Sequence, residues 1–205
     1  MRLHLRQLSR VAVFAIVVLW VGRVNASAEV AAEEVSQRID RFHALLLEVM
    51  QSGHAFDGRV VRLAPVVREL FDVPTISRIS LGRTWKTLDD GSQHAFSMLL
   101  EELIVATYAD RFESFSGQSF HRQSTDFARR GWVVKTELQK SDGERVTLDY
   151  YFRGEKVFNV VADGVSDLSL RRADYNSVIK IEGYEQLLSH IRENIADRRA
   201  GDADD

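Results

Sequence analysis

The sequence predicts an α+β domain: a curved four-stranded antiparallel meander covered by N-terminal and C-terminal helices. Three observations carry that reading. Apolar residues recur at helical spacing through the first half of the chain, as far as Tyr108. Near Ser116-Gly117 the period changes to the alternation of strands, which holds to Asp163. Beyond Gly164 the helical spacing returns, and segregated runs of helix and strand in one chain define this class.

From Ala31 to Met50 the stripe Val35, Ile39, Phe42, Leu46, Val49 predicts an amphipathic helix, ended by Gly53. Phe56 to Phe71 carries a second stripe, with Pro65 predicting a break or kink inside it. Asp72, followed by Pro74, caps a short helix through Ile76, Ile79 and Leu81 that Gly82 stops. Asp89 or Asp90 caps the longest helix of the domain, whose face runs Phe96, Leu99, Leu100, Leu103, Ile104, Thr107 and Tyr108. Gly117 to Thr125 then reads as a weak edge strand. The alternating runs Trp132–Leu138 and Val146–Phe152 flank Ser141-Asp142-Gly143, a hairpin signal. Lys156 to Asp163, apolar on both faces, predicts a central strand covered on both sides, with Asp163-Gly164 closing the sheet. Two helices follow, Leu168 to Lys180 and Gly183 to Asp197, and residues 198–205 read as a charged, frayed tail.

The first 28 residues read as an export leader. Arg2, Arg6 and Arg10 precede an eleven-residue apolar run, Val11 to Val21, and Ala26-Ser27-Ala28 supplies an A-x-A end. Eleven apolar residues fall short of the ~20 that span a bilayer, so cleavage after Ala28 is predicted rather than an uncleaved anchor. An exported chain without cysteine fits a bacterial periplasm and excludes a disulfide framework. The domain then covers residues 29–197.

Charge excludes further classes. The formal charge is −3, and removing the leader's four arginines leaves 23 basic against 30 acidic residues. A chain of that balance has no general attraction for nucleic acid, and its membrane contact is expected to be transient. His43, His54, His94, His121 and His190 form no metal-binding pair and read as surface residues, so neither metal nor cofactor is predicted. Gly164-Val165-Ser166 begins like a nucleophile elbow, but Leu168 stands where the final glycine belongs. Ser166 or Asp167 reads instead as a helix cap. Asp149, Tyr150, Tyr108 and Tyr175 are the parts available to an isomerase-like enzyme in an apolar cone. Strand parity turns Asp149 and Tyr150 to opposite faces, so the prediction is a protein that is not an enzyme. A structural adaptor with a filled core is the other alternative.

Two segments resemble a known family. Phe71-Asp72-Val73-Pro74 through Ser77-Arg78-Ile79-Ser80-Leu81-Gly82-Arg83-Thr84-Trp85 is similar to the F-D-x-x-x-x-(A/S)-R-x-x-L-G-x-x-W block of the MlaC-type periplasmic phospholipid-binding proteins, the auxiliary component of toluene-tolerance ABC transport. Val157 to Ser166 (VFNVVADGVS) is similar to that family's second block. The likeness extends from about Val35 to Glu193. Asp167 to Tyr175 departs from the usual pattern and looks like the hopanoid-biosynthesis-associated HpnM branch, which leaves the lipid undecided between phospholipid and hopanoid.

The resemblance implies an apolar cavity between sheet and helices. It also implies carriage of a lipid between an inner-membrane transporter complex and an outer-membrane partner. The residues expected to line that cavity are Trp132, Val134, Leu138, Val146, Leu148, Tyr150 and Phe152 from the sheet and Ile76, Leu100, Ile104 and Tyr108 from the helices. Arg78, Arg171 and Arg172 are the candidates for the head group. Periodicity does not separate such a lining from a dry core.

Overall fold

The computed structural model describes the backbone of residues 8–129 and 131–201, and the side chains within those spans from residue 28 onward. The basic and apolar segments of the expected leader, and residues 202–205 of the expected tail, lie outside the described side chains.

The helical half follows the caps and stripes closely. Helix α1 (Leu8–Gln51) buries Val35, Ile39, Phe42, Leu46 and Val49. Helix α2 (Phe56–Leu70) runs unbroken through Pro65, against the expected break. Pro65 and Val61, four residues before it, both lie on the helix's exposed face. Water can therefore serve the Val61 carbonyl that loses its donor. Asp72 caps α3 (Val73–Leu81) by accepting a hydrogen bond from the Thr75 amide at 3.2 Å, and Gly82 ends it at a φ of +58°. Of the two candidate caps for α4 (Asp90–Arg111), Asp89 does the work, accepting from the Ser92 amide at 2.8 Å.

The sheet is an antiparallel meander in the order β1 (Ser119–Ala128), β2 (Gly131–Gln139), β3 (Arg145–Arg153), β4 (Lys156–Ala162), β5 (Val165–Ser166). It has five strands, not four. Asp163 and Gly164 both take positive φ, +47° and +80°, which is the two-residue hairpin geometry that Asp-Gly favours. The chain thus turns back instead of leaving the sheet, and Val161 and Ala162 pair with Ser166 and Val165. Strand β4 is accordingly second from the edge, and β3 is central. The apolar character of β4 comes from the helices that approach it, including an Asp72 amide bonded to the Val157 carbonyl at 2.8 Å.

Ser166 caps α5 (Asp167–Ile181), and α6 (Tyr184–Gly201) follows. The charged segment after Asp197 begins as the last turn of α6. There Arg198 pairs with Asp110 and Arg199 with Asp57 at 3.0 Å, tying that helix to α4 and α2.

Register sets which side chains face the helices. Val134 opposes Tyr150, Leu138 opposes Val146, and Tyr150 opposes Val160, so these share the inner face. Lys135 opposes Asp149 on the outer face. At Gly131 the two strands approach so closely that a Cβ would collide with the Phe152 carbonyl oxygen. Gly131→Ala must push β2 from β3, and a loss of about 1–3 kcal/mol is expected. Chemical denaturation measures it, and an unchanged midpoint would show that the strands separate at little cost.

Candidate functional site

The interior is organised by rings. Phe71, at the end of α2, lies edge-on to Phe42 of α1 at 5.9 Å, and Phe42 lies edge-on to Tyr108 of α4 at 5.0 Å. Tyr108 stacks on Phe112 at 6.0 Å, Phe112 neighbours Phe120 of β1, and Phe120 stacks on His43 at 4.0 Å. His43 closes the series with a 3.0 Å hydrogen bond between its Nε2 and the Tyr150 hydroxyl on β3. Aromatic contacts therefore run without a gap from the helical layer to the sheet.

His43 corrects the expectation of a surface histidine, being 5% exposed. Burial lowers its pKa to about 3, so it is neutral at pH 7. Burial likewise raises the hydroxyl pKa of Tyr150, which stays protonated. The signal for His43 was available: Ile39, His43, Leu46 and Met50 repeat at 4, 3 and 4, and its neighbours in that series are buried. Asp149, by contrast, sits on the outer face, its pKa raised by burial and opposed by Lys135. Among the described residues no carboxylate joins Tyr150 there; its partner is the neutral imidazole.

The eleven residues expected to line a cavity divide in two. Ile76, Leu100, Ile104, Val134, Tyr150 and Phe152 are buried members of the core. Tyr108, Trp132, Leu138, Val146 and Leu148 keep part of their surface open. Along β3 the inner face thus changes from closed at Phe152 and Tyr150 to half-open at Leu148 and Val146.

The three head-group candidates do not converge. Arg78 is exposed on α3. Arg172 is exposed on α5 and reaches towards Gly82. Arg171, with 11% of its side chain exposed, borders a groove of about 460 Å³ between α4, α5 and α6. It donates to Tyr175 Oη at 3.1 Å and to the Asp167 carboxylate at 3.0 and 3.2 Å. Another concavity, about 580 Å³, separates α1 from β1, where Ser36 Oγ and Thr125 Oγ1 lie 2.7 Å apart. Neither concavity is lined by any of the eleven residues. Burial raises the pKa of Tyr108, Asp167 adds to the rise, and Arg111 and Arg171 oppose it, so its hydroxyl feels three charges of the groove wall.

A meander roofed by helices, with an aromatic interior and one half-open face, is an α+β domain built around apolar surface. The chain belongs to the MlaC protein family, whose model matches residues 37–193. Seven chains of solved structures match the fold. One of them is the phospholipid-binding protein from Ralstonia solanacearum, determined in complex with a phospholipid. It is 20% identical, has a TM-score of 0.69, and aligns over 82% of this chain and 98% of its own. Comparison with curated proteins finds no match. Among the described residues, no helix is long and apolar enough to cross a membrane.

Proposed function

We propose that this protein is a periplasmic lipid-binding carrier that moves a phospholipid or a hopanoid between an inner-membrane transporter complex and an outer-membrane partner. The observation that carries the reading is family membership, joined to the fold shared with a protein determined in complex with a phospholipid. The leader over residues 1–28 exports the chain and is cleaved after Ala28; the work is binding and release, without catalysis.

The physical need is large. A 16-carbon tail in water exposes roughly 12 kcal/mol of transfer free energy, at ~0.8 kcal/mol per methylene. A soluble carrier must bury whole tails and leave the polar end outside. In this reading the acyl chains enter at the half-open edge of the inner face, past Val146, Leu148 and Leu138. They run inward towards Trp132, with Tyr108 at the head-group end, and the buried residues of the same set move apart to admit them. Arg171 meets the head group, with Arg78 and Arg172 nearer the approach to the membrane or partner.

Protein extracted gently from a host that makes the right lipid is expected to carry it at one to one, seen by native mass spectrometry. Empty protein from such a host would overturn the proposal.

A further inference from the structure

The end of the sheet where β1 turns into β2 carries apolar surface that no helix covers. Along β1, Thr125 still meets α1, its Oγ1 lying 2.7 Å from Ser36 Oγ. Phe127, two residues on and on the same face, is 64% exposed. Its ring meets the half-buried Trp132 of β2 edge-on at 5.1 Å, so two aromatic rings stand together at the tip of the hairpin.

The turn itself is strained. Pairing of β1 with β2 runs to Ala128 and Gly131, which leaves a two-residue turn of the kind that favours asparagine and glycine. Its first residue is Arg129, held at a φ of +58°, where a side chain of this size is disfavoured. An arginine where asparagine would sit more easily points to a use for its charge. Arg129 is exposed, and so is Arg153 at the neighbouring β3–β4 turn, brought alongside by the close approach of Gly131 to Phe152. Neither arginine has an ion-pair partner among the described residues. The nearby acids are engaged elsewhere: Asp126 pairs with Lys135 at 3.2 Å, and Glu155 with Arg38 at 2.8 Å.

We propose that this tip is a contact for an anionic lipid surface, with the Phe127 and Trp132 rings at head-group level and Arg129 and Arg153 on lipid phosphates. Aromatic rings settle at the boundary between water and hydrocarbon, and unpaired cations are drawn to anionic head groups. The domain as a whole is acidic, so the same surface repels its remainder and the tip arrives first. Two cations and two rings make a weak, reversible contact. The half-open edge at Leu138, Val146 and Leu148 lies at the other end of these strands, so the contact leaves it free. The inference does not depend on the carrier reading, because it concerns what the tip touches and not what the interior holds.

The exported protein is sedimented with vesicles of phosphatidylcholine alone and with vesicles of phosphatidylcholine and phosphatidylglycerol in equal parts, at low salt. Partition into the anionic vesicles is expected to be at least tenfold stronger, and added salt should weaken it. Arg129→Asn should lower it about fivefold while the protein melts no earlier than wild type, since asparagine suits the turn better. Phe127→Ala, at an exposed position, should lower it at least fivefold without loss of fold. Arg145→Gln removes an exposed cation at the opposite end of β3 and should leave partition unchanged. Equal partition into both kinds of vesicle, or none into either, overturns the inference; the second result would assign the tip to a protein partner instead. Wild-type partition by Arg129→Asn or Phe127→Ala overturns it as well. So does an equal loss in Arg145→Gln, which would make the attraction a matter of net charge. Native mass spectrometry of copurifying lipid is a separate measurement, so this inference and the carrier reading fail independently.

Discussion

Lowering the pH from 7 to 4.5 is expected to cost this domain about 3 kcal/mol through His43 alone. The imidazole is buried against Phe120 and bonded to Tyr150, and burial holds its pKa near 3 in the folded chain. In the unfolded chain it titrates near 6.5. Above pH 6.5 neither state takes the proton, so nothing is lost. Below it the unfolded chain is protonated and the folded one is not, and stability falls by about 1.4 kcal/mol per pH unit down to about pH 3.

Urea titrations of the wild type and of His43→Gln at both pH values measure the effect. Glutamine retains polar groups for the Tyr150 hydroxyl but does not titrate. Glu33, Asp89 and Asp126, whose carboxyl pKa values are lowered by hydrogen bonds, also lose stabilisation in acid. They are present in both proteins and cancel in the comparison. A wild-type curve parallel to that of His43→Gln would mean that the imidazole reaches water in the folded state.

The same residue shows where sequence reasoning stopped. Caps were legible because they are local: Asp72, Asp89 and Ser166 each sit three residues before the amide they bind. The meander was legible because its turns are short and its alternation is regular. The fifth strand is not legible because two residues carry no period, although Asp163-Gly164 is the same dipeptide as the Asp142-Gly143 of the hairpin signal. His43 is less legible because a histidine is usually exposed, and only its place in the stripe and the distant Tyr150 hydroxyl make its burial tolerable. Parity placed Asp149 and Tyr150 on opposite faces correctly, since a period of two holds through β3. Arg171 borders the groove while Arg172 reaches towards Gly82, a divergence in keeping with the ~100° step between adjacent helical residues. Which apolar side chains meet one another and which face a guest depends on distances between layers, and no periodicity contains those.

Leu148→Glu and Phe152→Glu should therefore behave very differently, although they lie on the same face of β3 four residues apart. Phe152 is 2% exposed, and a carboxylate there has no route to water. The burial cost of several kcal/mol per ion approaches the total of ~5–15 kcal/mol that holds a domain together. Phe152→Glu is expected to yield no folded protein by circular dichroism. Leu148 is half-buried at the open end of the face, where a glutamate can turn its carboxylate to the rim. Leu148→Glu should fold with a Tm within a few degrees of wild type. On the carrier reading, though, it places a charge across the path of an acyl chain, and copurifying lipid should fall at least tenfold, equivalent to about 1.4 kcal/mol or more. Native mass spectrometry and a thermal melt on the same sample decide between the roles. Loss of fold together with lipid would make Leu148 ordinary core; full lipid on a folded Leu148→Glu would put the hydrocarbon somewhere other than this face.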